Sequence, residues 1–165
     1  MTYDRFESLP VWQEAIRLAE GCEDFLLAAK DKITFSKRDQ LDRASLSVSN
    51  NISEGFERGT TNELLAFLYI ARGSAGEVRS MLCFFERRPA LEIFKSQISD
   101  LKSIAESCSR QIRAWADSLQ NSDIKGQRHL TEKEKRFTQN KKRAEEAWRK
   151  INDSLPAGHP AKRRV

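Results

Sequence analysis

Leu91, Phe94, Ile98, Leu101, Ala105, Cys108, Ile112, Trp115 and Leu119 recur at steps of three and four residues. Over about eight turns that spacing keeps every apolar side chain on one face of a long helix. A strand, whose faces alternate at every residue, cannot use the pattern. A helix striped in this way must bury its stripe against another element, and the chain supplies three more of the same kind. Pro10 suits a first helical position, where a missing N–H costs nothing, with Ser8 or Leu9 as its cap. Val11, Trp12, Ala15, Ile16, Ala19, Cys22, Phe25 and Leu26 then form one stripe. A second helix, Lys37 to Glu57, carries Leu41, Ala44, Val48, Ile52 and Phe56. A third, Asn62 to Arg87, carries Leu64, Phe67, Leu68, Ala71, Ala75, Val78, Leu82 and Phe85. Ile70, Ser74, Glu77, Met81 and Phe84 fill a neighbouring sector of that third helix. So wide an arc predicts cover on more than one side, either by the bundle and an oligomer partner or by a larger core.

The breaks between stripes are short. Ile33 and Phe35 are expected to plug one end of the core, with Ser36 capping the second helix and Asp39 in its first turn. Arg58-Gly59-Thr60-Thr61 reads as a stop with Gly59 in the left-handed conformation, followed by a threonine cap with Glu63 close behind. Arg88-Pro89 ends the third helix, because the residue before proline is pushed out of the α region, and the fourth should run from Ala90 to Leu119. Four long helices joined by short connections predict an all-α, antiparallel up-down four-helix bundle over residues 1–120.

Residues 121–165 differ in kind. The first 120 residues carry 16 Lys+Arg and 18 Asp+Glu, a balance of −2, whereas the last 45 carry 13 and 6, a balance of +7; together they give the net +5. After a linker, Asn121 to Gln127, the sequence Thr131-Glu132-Lys133-Glu134 predicts a capping box and a fifth helix to Asp153. Its apolar stripe is narrow: Phe137, Ala144, Trp148, Ile151 and Leu155. The end, Pro156 to Val165, has the composition of a disordered terminus.

No apolar run reaches the roughly 20 residues of a membrane span, and the N-terminus lacks the form of a signal peptide. The expected location is cytoplasmic, with no membrane partner. Cys22, Cys83 and Cys108 are far apart and odd in number, and read as small buried apolar residues in a reducing compartment.

Two clusters are candidates for function. On the second and third helices, Asn51 and Glu54 stand opposite Ser74 and Glu77, among Gly55, Gly73 and Gly76. Glycine inside a helix costs about 1 kcal/mol relative to alanine, so these glycines suggest close helix approach around a shared polar network. The same residues have a second reading, as a ligand or RNA contact in a subunit interface, against which two carboxylates facing phosphates tell. In the tail, Arg136, Lys141, Lys142, Arg143, Arg149 and Lys150 make a basic helix that is either a solvated surface or a phosphate-binding one. Trp148 and Phe137 are suited to stacking on bases or to packing on protein.

The residues of the bundle are less suited to catalysis. A di-iron site needs Glu-x-x-His on two helices, yet the only histidines are His129 and His159. The cysteines lack zinc spacing, no histidine is placed to serve a Ser-His-Asp arrangement, and phosphate-binding glycine loops are absent. The sequence therefore predicts a non-enzyme without metal or cofactor.

The Phe6-x-x-Leu9-x-Val11-Trp12-x-x-Ala15 opening, Arg43-Ala44 with Asn51-Ile52-Ser53-Glu54-Gly55-x-x-Arg58, and Ala71-x-Gly73-Ser74-x-x-Glu77 together resemble the bacterial 23S rRNA-intervening-sequence proteins. The resemblance covers residues 6 to 119 and not the tail. It implies a four-helix protomer that assembles into a homopentameric barrel, without enzymatic activity. The group is similar in fold to the accessory variability determinant of diversity-generating retroelements, which binds nucleic acid and partners a reverse transcriptase; the near-neutral bundle here departs from that protein. The functional expectation is a homo-oligomer associated with nucleic acid, RNA before DNA, through its basic tail. The alternative is a protein-binding scaffold that recruits a factor such as a reverse transcriptase.

Overall fold

The computed structural model describes residues 3–121 and 132–154, and within 132–154 it describes the side chains of Asn140 and of 143–154. Two compact units divide the chain, Met1–Arg128 and His129–Val165.

In the first unit, a 3-10 turn at Phe6–Ser8 leads into α1 (Pro10–Ala28), followed by α2 (Phe35–Glu57) and α3 (Thr61–Glu86). A 3-10 segment, Pro89–Phe94, then leads into α4 (Lys95–Gln120). α1 packs on α2 and α4, and α3 packs on the same two, so the helices close a ring in chain order. Because each connection spans only a few residues, consecutive packed helices must run antiparallel. The four stripes face inward. Leu18, Leu41, Val48, Ile52, Leu64, Leu68, Val78, Leu82, Ile98 and Ile112 are all fully buried. Phe25 anchors one end of the core, its ring 5.9 Å from Phe85 and 5.8 Å from Phe94. Cys22 and Cys108 are buried and Cys83 half-buried. Burial pushes the Cys22 and Cys108 thiols up to about 12, so both stay protonated near neutral pH and are poor nucleophiles.

Local signals were legible at some helix ends and misleading at others. Leu9 is the cap of α1 with Pro10 at its first position, as expected. Thr60 caps α3: its Oγ1 accepts from the Glu63 N–H at 3.2 Å and its hydroxyl donates to the Glu63 carboxylate at 2.8 Å. α2, however, begins two residues earlier than its polar signals indicate. Thr34, not Ser36, is the N-cap residue, and it makes no side-chain cap bond. Phe35 therefore occupies the first helical position, about a third of a turn away from the Leu41 face, and is 75% exposed, while Ile33 alone plugs the core. Gly59 is not left-handed, because α2 ends on an extended Arg58 (φ −70°, ψ 146°) that turns the chain without it. The fourth helix starts as a 3-10 segment with Pro89 in its first turn and becomes α-helical only at Lys95.

In the second unit the described residues form α5 (Glu132–Ser154). The linker after Asn121, Thr131 of the expected capping box, and Leu155 to Val165 lie outside the described residues.

Candidate functional site

The outward seam between α2 and α3 gathers the first candidate cluster. Asn51 Nδ2 donates to the Ser47 carbonyl at 2.7 Å and to Ser47 Oγ at 3.0 Å. Ser47 Oγ lies 2.9 Å from Ser74 Oγ, and Ser74 Oγ donates to the Ile70 carbonyl at 3.2 Å. With the Ser74 proton directed at Ile70, the Ser47 hydroxyl must donate across the seam. The relay then runs in one sense from Asn51 to Ile70 and uses each hydroxyl as donor and acceptor.

The two carboxylates are not part of that relay. Glu54 accepts from Arg58 Nη2 at 2.6 Å. Arg58 also lies 3.8 Å from the Glu63 carboxylate and 5.0 Å above the Phe67 ring, and the bond to Glu54 raises its basicity above the ordinary guanidinium value. At the other end of the seam, Glu77 accepts from Gln40 Nε2 at 3.0 Å. The expected four-residue network is thus three separate contacts: Gln40 with Glu77, the Ser47–Asn51–Ser74 relay, and Glu54 with Arg58 and its neighbours. Gln40, Glu63 and Phe67 were not expected as partners. Their antiparallel register with Glu77 and Arg58 was the signal that could have found them.

The glycines also separate. A Cβ on Gly55 would stand 2.7 Å from the Phe67 Cβ and 3.1 Å from Leu64 Cδ1, so here the α2 and α3 backbones do need a missing side chain. Gly73 and Gly76 face open space, with nothing within 4 Å of a built Cβ. The close approach expected of them does not occur within the bundle, because both sit on the outer face of α3. That face carries Tyr69, Ile70, Gly73, Gly76, Ser80 and Phe84, all exposed.

The second cluster lies on α5. Arg143, Arg149 and Lys150 are exposed. Arg136, Lys141 and Lys142 occupy positions on the same helix, with side chains outside the described residues. Positions 136, 143 and 150 are seven apart and share one row; 142 and 149 share another. Beside the first row run Ala144, Trp148 at 63% exposure and Ile151 at 50%.

Among the described residues, no group of three or more His, Cys, Asp or Glu is placed to hold a metal ion. Likewise, no helix among them is long and apolar enough to cross a membrane.

The model of one protein family, described as 23S rRNA-intervening sequence protein, matches residues 7–114. That span takes in α1, α2, α3 and most of α4, together with the whole α2–α3 seam, and stops short of α5. No curated protein matches the chain.

Proposed function

The chain belongs to the 23S rRNA-intervening sequence protein family, and from that premise we propose that it is a non-catalytic, homo-oligomeric protein that associates with RNA through α5. The observation that carries the reading is the segregation of charge. The first 120 residues sum to −2 and the last 45 to +7, and every basic side chain described on α5 is exposed. Lysine and arginine on one exposed helix neutralise phosphates without regard to sequence. Repetition of that helix in an oligomer multiplies weak contacts. Arg136, Lys141, Lys142, Arg143, Arg149 and Lys150 carry the phosphate contacts in this reading.

The oligomeric part is supported by the outer face of α3. Gly73 and Gly76 weaken the helix by about 1 kcal/mol each relative to alanine, and nothing in their own bundle requires them. Close approach by a second copy gives both glycines a purpose. The pentamer implied by the family resemblance is the assembly we propose, in the cytoplasm.

A second reading, a scaffold that recruits another protein, is favoured by Trp148 and Ile151. Two large apolar side chains exposed on one helix suit a protein groove as well as they suit bases. A chain ending at Asn121 separates the readings. Light scattering gives its mass, and binding of RNA and DNA is measured at two salt concentrations beside the full chain. The proposal expects RNA binding by the full chain that is lost on truncation and weakens steeply with salt. Equal, negligible binding by both chains would leave the scaffold.

A further inference from the structure

One end of the bundle holds a cavity of about 200 Å³ between the α1–α2 connection and the Pro89–Phe94 segment, and its lining includes Lys32, Thr34, Lys37, Phe84, Arg88 and Leu91. Three of these side chains are cationic, and no carboxylate is among the described lining residues. None of the three forms an ion pair among the described residues; Lys30, Arg38, Arg72, Arg79 and Arg87 form none either, but these five do not line the cavity. In a unit whose charges nearly cancel, three unneutralised cations around one hollow repel one another and leave a positive potential focused between them.

We propose that this cavity is a binding site for a phosphate monoester. Arg88 is placed for the task by Phe84: its guanidinium lies 5.6 Å from the ring centroid, which supports it from one side and leaves its donors available. Lys37 Nζ gives one proton to Thr34 Oγ1 at 3.2 Å, which steadies the ammonium and leaves two donors. Lys32 adds a third charge from the connection. Arginine provides a fork and lysine a point charge, the two ways in which side chains hold phosphate oxygens. The cavity is smaller than the roughly 300–1,000 Å³ that encloses a drug-sized ligand. It therefore takes the phosphate, while the group bearing it stays outside the cavity. A free nucleotide and the 5′ end of an RNA present the same chemistry. The site lies in the bundle and does not depend on the role proposed for α5.

The test uses the full chain and its Lys37→Gln/Arg88→Gln variant, with Arg113→Gln, far along α4, as control. Calorimetric titrations use inorganic phosphate, adenosine monophosphate, and a short RNA with or without a 5′ phosphate. The double variant should bind phosphate and the monophosphate at least tenfold more weakly, since hydrogen bonds to charged groups are lost, while the control is unchanged. Preference for 5′-phosphorylated over 5′-hydroxyl RNA, lost in the variant, would assign the site to RNA ends; binding of the monophosphate without that preference would assign it to free nucleotide. Lys32→Gln, on an exposed connection, provides a single-site variant that folding defects should not confuse and should weaken binding in the same direction. Equal affinity of wild-type and double variant for all four ligands, or no binding by the wild-type protein, would overturn the proposal.

Discussion

α4 and α5 are helices of similar length, 26 and 23 residues, and they illustrate two uses of one secondary structure. α4 carries an unbroken stripe whose Ile98, Leu101, Ala105, Cys108, Ile112 and Ala116 are buried. In α5 the stripe is two or three residues wide, and Trp148 and Ile151 are exposed. The lesson concerns the width of an apolar stripe. A wide one sets what a helix packs against, and a narrow one leaves the surrounding charge to decide what the helix meets.

The sharpest break in this comparison is in the core. Phe25→Ala should cost about 3–5 kcal/mol, because Phe25 is fully buried against Phe85 and Phe94. Trp148→Ala should change unfolding of the bundle by no more than about 0.5 kcal/mol. Chemical denaturation of both variants checks the pair, and a large loss for Trp148→Ala would show that α5 is part of the folded core.

The glycines provide the next contrast. Gly55→Ala should destabilise by about 1–3 kcal/mol, since the new methyl meets the Phe67 Cβ, which cannot move without the α3 backbone. Gly73→Ala meets nothing within the bundle and should strengthen α3 itself by up to about 1 kcal/mol. In the proposed oligomer it should nevertheless lower the assembled mass. Light scattering on a thermally stable Gly73→Ala protein that retains full wild-type mass would remove α3's outer face from the interface.

Smaller effects belong to the charged pairs. Glu54→Ala and Glu77→Ala each remove an exposed contact, so each should cost less than about 1 kcal/mol, and less than Ser47→Ala, which interrupts the relay. The Lys102–Glu86 bridge at 2.7 Å ties α3 to α4 and has a pH signature. The Lys102 hydrogen bond holds the Glu86 carboxyl below its ordinary value. Its contribution is therefore present above the ordinary carboxylate range and is lost as pH falls through the lowered folded value. Wild-type protein should lose more stability than Glu86→Gln on acidification in that range, by melting temperature across a pH series.

Much of the fold was legible because core stripes follow the 3.6-residue period, and Leu41, Ala44, Val48, Ile52 and Phe56 all proved buried. Phe35 misled because hydrophobicity does not state angular position; one extra half-turn of α2 carried it to the surface. Gly55 and Gly73 look alike in sequence, yet Gly55 faces α3 and Gly73 faces open space, and only the packing of α2 on α3 distinguishes them. Of the four expected network residues, Asn51 and Ser74 meet through Ser47, which their sequence spacing alone does not show. The longer side chains of Glu54 and Glu77 pair instead with Arg58 and Gln40. The cationic cavity could not be read at all, because Lys32, Lys37 and Arg88 come together only when the bundle closes its end.

The proposed binding of RNA phosphates by α5 has its plainest signature in the salt dependence of affinity. The full chain and an Arg143→Gln/Arg149→Gln/Lys150→Gln variant would be titrated with single-stranded RNA over a range of salt concentrations. Removal of three phosphate contacts should flatten the slope of log affinity against log salt by about 2. Identical slopes for the two proteins would contradict the account.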